Sequence, residues 1–354
     1  MEKKLSLKQS IKKSIQEKRE GINLADVSLT QSSYLSPETP MPLVVQPAMD
    51  GVNLANWVIA NKEHIRTELA RHGAILFRKF KLDSAATFEQ FALAMSDCGE
   101  LFDEYGDLPR DDPGAKVYHS TPYPADKSIL YHNESAHMHQ WPMKIMFYCV
   151  KAAEEGGATP IIDCRLAYKT IDPTIIKLLT EKKLMYVRNF IEGLDVSWQQ
   201  FFGTSDQRKV EEYCRKAGMS FEWKGEKCLT TRQICQAVAR HPTTKEMLFF
   251  NQVQLHHISC LDPDVRDSML SMFHPEDLPR NVYYGDGSLI EDSIIQEIGN
   301  VYDNIAVRFR WQAGDVIILD NMMVSHSRDP FGGTRKILVA MADLVSQKDL
   351  AYTL

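Results

Sequence analysis

From about Val117 onward the chain falls into short runs rich in β-branched and aromatic residues, separated by turn residues. No other feature restricts the fold as strongly. The runs are Ile145 to Val150, Thr159 to Cys164, Leu184 to Phe190, Met247 to Leu255, Ala306 to Phe309, Val316 to Leu319 and Lys336 to Leu344. Closely spaced short strands with turn signals between them predict a sandwich or barrel. Helical patches sit among them, at Arg165 to Ile171, Thr174 to Glu181, Asp206 to Ala217 and Asp262 to Phe273. Ahead of this region Leu54, Trp57, Val58, Ile65 and Leu69 recur at helical spacing and predict one amphipathic helix over 54–71. Gly73 to Phe77 reads as a strand. Ser84 to Met95 reads as a second helix, capped by Asp83 or Ser84.

With 354 residues, 44% hydrophobic and 25% charged, the chain is long enough for one large core. Residues 1–40 are polar, Lys-rich at first and then rich in Ser, Thr and Pro, and read as an N-terminal arm. Residues 41–354 read as a single domain with an insertion at about 190–250. The net charge of −6 argues against a nucleic-acid partner. The seven cysteines form no C-x-x-C pair, so they read as reduced thiols and the protein as cytoplasmic. No apolar h-region follows Met1-Glu2-Lys3-Lys4, and no stretch approaches the roughly 20 apolar residues of a membrane-spanning helix. A secretory signal and a membrane role are therefore not expected.

The chemistry is concentrated in two distant stretches. In Leu130-Tyr131-His132-Asn133-Glu134, the imidazole and the carboxylate are two residues apart, on one face if the segment is a strand. H-x-E makes half of a divalent metal site, although alone it is a weak signal and reads first as an exposed polar strand face. Downstream, Ala313-Gly314-Asp315 launches the apolar run to Leu319, which ends in Asp320-Asn321 with His326 just beyond. Two His and one carboxylate on one face of an octahedral metal leave three positions open, which is the arrangement of non-haem Fe(II) oxygenases. Arg335 opens the next strand, and a guanidinium there could grip the far carboxylate of 2-oxoglutarate.

H-x-E, Gly156-Gly157-Ala158-Thr159-Pro160, the Gly314-Asp315 strand with Asp320-Asn321, His326 and Arg335 together resemble the taurine dioxygenase/TfdA superfamily of Fe(II)/2-oxoglutarate enzymes. Trp141 to Ile145, Glu154 to Gly157, Met185 to Asn189 and Tyr284 to Gly287 are most similar to the clavaminate synthase-like and syringomycin-biosynthesis hydroxylase branch. The resemblance covers roughly residues 45 to 345. It implies a mainly β fold, a double-stranded β-helix (jelly roll, cupin-like) buttressed by α-helices. It implies Fe(2+) on His132, Glu134 and His326, with O2 as oxidant, and 2-oxoglutarate held by Arg335 and Thr159. Some relatives place the Arg further from the last His, so Lys336 stands as an alternative to Arg335. Related halogenases replace the carboxylate with a small residue. Glu134 fills that place here, so hydroxylation is implied over halogenation. The implied substrate is an amino acid, free or tethered to a peptidyl carrier protein.

Arg188, Asn189 and Ser135 are candidates for substrate contact, with a structural ion pair as the alternative for Arg188. His137 and His139 are rival ligands by proximity, but offsets of three and five from Glu134 and His132 put them on the opposite face of a regular strand, so they are read as lining the pocket mouth or facing solvent. His256 and His257 are read as structural, and Trp198 and Phe201 as core or lid wall. A sulfonate or aryloxyacetate dioxygenase, a metal-binding jelly roll without turnover, and a Zn or Mn hydrolase or isomerase in the same cage are the competing readings.

Overall fold

The computed structural model describes residues 29–102, 117–119, 123–191, 193–225 and 228–350. Its architecture follows from period-two alternation in three long apolar strands: β6 (Gln140–Lys151), β15 (Val316–Asp320) and β18 (Lys336–Ser346). On one face Met146, Tyr148, Val316, Ile318, Leu338 and Ala340 pack against the helices Leu54–Ala60, Lys62–His72 and Ala85–Met95. On the other face Ile145, Phe147, Ile317, Leu319, Val339 and Met341 join a second core. A sheet with both faces apolar must be covered twice, by helices on one side and a second sheet on the other.

These strands form the centre of a seven-stranded sheet ordered β1 (Thr30–Ser36), β2 (Thr39–Pro47), β3 (Ala74–Phe77), β15, β6, β18 and β4 (Tyr118–His119). The opposing sheet is β5 (Ile129–His132), β16 (Val324–Arg328) and β8 (Ile161–Asp163), extended by the pair β17 (Phe331–Gly332) and β7 (Glu155–Gly156). The two sheets form the double-stranded β-helix, and the site lies between them. A further sheet, β10 (Ser220–Lys224), β11 (Cys228–Cys235), β9 (Leu184–Phe190) and β14 (Arg280–Tyr284), stands beside the jelly roll with the hairpin β12 (Val238–Arg240) and β13 (Met247–Phe249). Its strands come from residues 184–284, so this extra layer is broader than the insertion expected at 190–250.

Four expectations need correction. The expected arm at 1–40 lies outside the described residues up to 28, and from Thr30 on it is β1, which pairs antiparallel with β2 from Thr30↔Pro47 to Ser36↔Thr39; β2 in turn lies parallel to β3. Polar composition hid an edge strand there, because no residue of β1 is buried and β2 makes the apolar contact with the core. The helix predicted over 54–71 is two helices, broken at Asn61, whose carboxamide donates to the Trp57 carbonyl at 2.9 Å and competes with the backbone. The run 247–255 is a strand only as far as Phe249; beyond it the backbone and side chains of Asn251 and Gln252 bond across to Asn133 and Ala237. Within 306–309 only Val307 bridges, to Ile161.

Candidate active site

His326 lies in the middle of β16 and pairs directly with His132, the last residue of β5. Their rings are 4.3 Å apart between centroids, and Phe147 stands 5.2 Å from the His326 ring. His132 donates its Nδ1–H to the Leu130 carbonyl at 2.7 Å, which leaves the Nε2 lone pair facing inward. Glu134 does not share the strand. β5 stops at His132, and Glu134 enters from a turn in which Ser135 has φ +57°. The condition for face-sharing by strand alternation is therefore not met. The two side chains still converge, with Glu134 Oε2 3.9 Å from His132 Nε2.

Atoms of His132, Glu134 and His326 that can ligate a metal all lie within 4.8 Å of one another. Burial raises the Glu134 carboxyl to about 7, and among the described residues no Lys or Arg pairs with it. A buried carboxylate without a cation beside two imidazoles is a donor set that a divalent metal satisfies. The residues thus fit Fe(II) on the chemistry of their donors.

The three residues line a cavity of about 530 Å³ with Phe147, Thr159, Ser327, Arg328, Arg335, Ile337 and Val339. Arg335 sits just before β18; burial lowers its guanidinium to about 10, and the neighbouring Arg328 cation acts in the same direction. It donates from Nε to the Gly157 carbonyl at 3.0 Å and from Nη2 to Thr159 Oγ1 at 3.1 Å. The Trp311 indole also donates to Thr159 Oγ1, at 3.0 Å. With both lone pairs of that hydroxyl engaged, its own proton is left to be donated elsewhere. Thr159 is held in place because the Pro160 carbonyl accepts from Ser327 on β16 and the Ala158 carbonyl from Asp329 just beyond it. Gly156 and Gly157 have φ +63° and +67°, and a Cβ at Gly156 would meet the Pro330 oxygen at 2.3 Å, so this turn requires glycine. Lys336 is exposed and pairs with Lys151 in the ladder, which leaves Arg335 as the cavity's cation at this position.

Sequence reasoning missed Arg328. This residue is two beyond His326 and reaches the same cavity, while its guanidinium donates to the carbonyls of Tyr123, Pro124 and Lys127 and packs on Phe331. The i, i+2 spacing from His326 was the available signal. Asn321, the second residue of the Asp320-Asn321 pair, grips the backbone of Glu134 with its carboxamide.

The proposed substrate contacts fare less well. Asn189 donates to the carbonyls of Glu276 and Leu278 and accepts from Thr230 at 2.6 Å, so its carboxamide is consumed within the β10–β11–β9–β14 layer. Arg188 is engaged with Asp195 at 3.4 Å, between the rings of Phe190 and Phe201. It lines a separate cavity of about 350 Å³ with His137, Tyr186 and His256. Ser135 serves as the left-handed residue of the Glu134 turn and does not line the main cavity. His139 packs on Tyr213, and His257 bonds to Ser259 and Ile290. Trp198 and Phe201 belong to a core cluster against the β10–β11–β9–β14 sheet.

Comparison with known proteins identifies the family. The family described as "Taurine catabolism dioxygenase TauD, TfdA family" matches residues 35–341. The chain is 39% identical over 277 residues to the dapdiamide synthesis protein DdaC of Enterobacter agglomerans, covering 78% of this chain and 84% of that one. It is 26% identical over 340 residues to a clavaminate synthase-like protein of Arabidopsis thaliana, covering 90% and 98%. Among solved structures, PvcB of Pseudomonas aeruginosa superposes with a TM-score of 0.54 at 13% identity, covering 89% of this chain and 92% of that one. A taurine dioxygenase of Burkholderia xenovorans superposes with a TM-score of 0.52 at 16% identity, covering 91% and 92%. Both structures share the fold, and with a family match across most of its length this chain belongs to the TauD/TfdA dioxygenase family.

Proposed function

We propose that this Fe(II)/2-oxoglutarate-dependent dioxygenase hydroxylates an unactivated carbon of an amino acid, free or tethered to a peptidyl carrier protein, in secondary metabolite biosynthesis. One observation carries the reading: His132, Glu134 and His326 and the desolvated Arg335–Thr159 pair line a single cavity. The likeness to a dapdiamide synthesis protein supports the biosynthetic setting. Seven unbridged cysteines support a reducing, cytoplasmic one, and among the described residues no helix is long and apolar enough to cross a membrane.

In this reading His132, Glu134 and His326 hold the iron, and Arg335 with the Thr159 hydroxyl holds the distal carboxylate of 2-oxoglutarate. The iron and its cosubstrate supply the activation of O2 and the oxidising power. The protein's residues bind, orient and exclude. Phe147, Ile337 and Val339 make an apolar wall that keeps bulk water from the reacting centre. The Leu130 carbonyl fixes the His132 tautomer so that Nε2 faces the metal. Glu134 fills the place a halide would need, which favours hydroxylation.

The test is succinate formation from 2-oxoglutarate with Fe(II), ascorbate and air, across free and carrier-tethered amino acids. A low basal rate raised sharply by one substrate, with a product heavier by one oxygen, is expected. Succinate formation that no amino acid stimulates in either form would overturn the substrate class. No succinate from metal-loaded protein would overturn the oxygenase reading.

A further inference from the structure

We propose that Asn321 is a positioning residue for the metal centre: it fixes the Glu134 turn by gripping both polar groups of the Glu134 backbone. The inference rests on the reading of Glu134 as a metal ligand. The Glu134 N–H donates to Asn321 Oδ1 at 2.7 Å, and Asn321 Nδ2 donates back to the Glu134 carbonyl at 2.9 Å. The same Nδ2 donates to the Pro142 carbonyl at 2.8 Å. The Asn321 backbone is tied as well, its N–H to the Met143 carbonyl and its carbonyl to Asn133 Nδ2 at 2.7 Å. Asn133 and Asn321 are fully buried, so none of these bonds exchanges with water.

The need for such a clamp follows from the local fold. A ligand on a strand inherits its direction from the ladder, as His326 does from pairing with β5 and β8. Glu134 has left β5 and sits between a strand end and a left-handed Ser135, where the ladder no longer sets its direction. The clamp replaces the missing ladder bonds with a carboxamide that donates and accepts as a peptide group would. It also connects the two halves of the site. Asn321 follows β15 directly and comes five residues before His326, so the segment that carries one ligand holds the turn that carries another.

Asn321 is itself anchored from outside the jelly roll. Its neighbour Asp320 accepts at Oδ1 from the backbone N–H groups of Met322 and Met323, both at 3.0 Å, closing the turn between β15 and β16. The other oxygen of Asp320 lies 3.0 Å from His241 Nε2. His241 Nδ1 accepts from the N–H groups of Thr243 and Thr244, so the proton rests on Nε2 and is donated to Asp320. On the far side of the turn, Gln252 donates from Nε2 to the Asn133 carbonyl at 2.8 Å. The Glu134 turn is thus held from β15 on one side and from the segment after β13 on the other.

The experiment titrates Co(II) into apo wild-type protein and into Asn321→Ala, Asn321→Ser and Asn189→Ala. Affinity is followed by the visible d–d absorption, and thermal stability of the apo forms is measured in parallel. Asn189→Ala is the control, because it removes a comparably buried carboxamide whose partners are Glu276, Leu278 and Thr230 and none of the three candidate ligands. Asn321→Ala is expected to weaken Co(II) binding by about 10–100-fold and to change the d–d band shape. Asn321→Ser keeps one hydrogen-bonding group and is expected to fall between Ala and wild type. Should Asn321→Ala not fold, the Ser variant decides. Asn189→Ala is expected to lower stability with Co(II) affinity and band shape unchanged. Wild-type affinity and band shape in the Asn321 variants, or equal losses in Asn189→Ala, would overturn the proposal. Wild-type protein that binds no Co(II) would overturn instead the metal-site reading on which it rests.

Discussion

His326 stands directly opposite His132 in the β16–β5 ladder, so the two imidazoles are brought together by strand register alone although 193 intervening residues separate them in the chain. A register shift of one residue would send either ring to the other face of its sheet. The remaining elements of the site, Glu134 and Arg335, lie just outside regular strands, and local hydrogen bonds place them.

Arg335 is held by a two-point fork, Nε on Gly157 and Nη2 on Thr159, which an ammonium cannot reproduce. Arg335→Lys is expected to raise KM for 2-oxoglutarate by about 10–100-fold, the equivalent of a lost charge-assisted hydrogen bond. Steady-state kinetics on succinate release checks this, and an unchanged KM would remove Arg335 from the cosubstrate site.

Gly157 is constrained by its backbone and by its neighbours. A Cβ there would lie 2.9 Å from Ala153 Cβ, 3.0 Å from Phe331 Cβ and 3.1 Å from Arg335 Cδ. Gly157→Ala combines strain at φ +67° with displacement of Arg335. The expected result is a loss of about 1–3 kcal/mol in stability and a higher KM for 2-oxoglutarate, read from thermal melts and the same kinetic assay.

Thr159→Val preserves shape and removes the hydroxyl. It leaves the buried Trp311 N–H without its acceptor, at a cost of about 1–3 kcal/mol. The variant is expected to melt lower and bind 2-oxoglutarate more weakly, whereas Thr159→Ser is expected to retain most of both properties. Calorimetric titration of 2-oxoglutarate into metal-loaded protein distinguishes them.

Asp195 ties β9 to β14 through Arg280, at 2.7 and 2.9 Å, and Arg188. Burial pushes its carboxyl upward, but the Arg280 hydrogen bond and the two guanidinium charges hold it below the ordinary 3.8. A carboxylate lowered on folding contributes stability above its unfolded pKa and loses it as pH falls through the folded value. Asp195→Asn is therefore expected to cost about 1–3 kcal/mol at neutral pH. That difference should persist down to about pH 4 and shrink only in stronger acid. Denaturant melts of both proteins from pH 7 to 2 measure it.

The strands that carry the core were legible because alternation is a local pattern; Leu184–Phe190 was bounded correctly from composition alone. The convergence of His132, Glu134 and His326 was legible because two His and one carboxylate in such a context have few other uses, and the fold brings their donor atoms within 4.8 Å of one another. What escaped was governed by distant partners. Arg188 and Asn189 look like binding residues in a linear reading, yet Asp195, Glu276, Leu278 and Thr230 occupy them. Asn321 looked like a strand terminator, and its role emerged only when the chain brought Glu134 to it from 187 residues away. The β1 edge strand was hidden for a related reason: none of its residues is buried, and its partner β2 supplies the apolar contact with the core.

The central claim is that His132, Glu134, His326 and Arg335 form one centre for metal and cosubstrate. Anaerobic titration of 2-oxoglutarate into Fe(II)-loaded protein tests it most directly, with visible absorbance as the readout. The account predicts a metal-to-ligand charge-transfer band that saturates with 2-oxoglutarate in the wild type and is lost in a folded His326→Ala variant. Absence of the band in the metal-loaded wild type, or an undiminished band in His326→Ala, would contradict it.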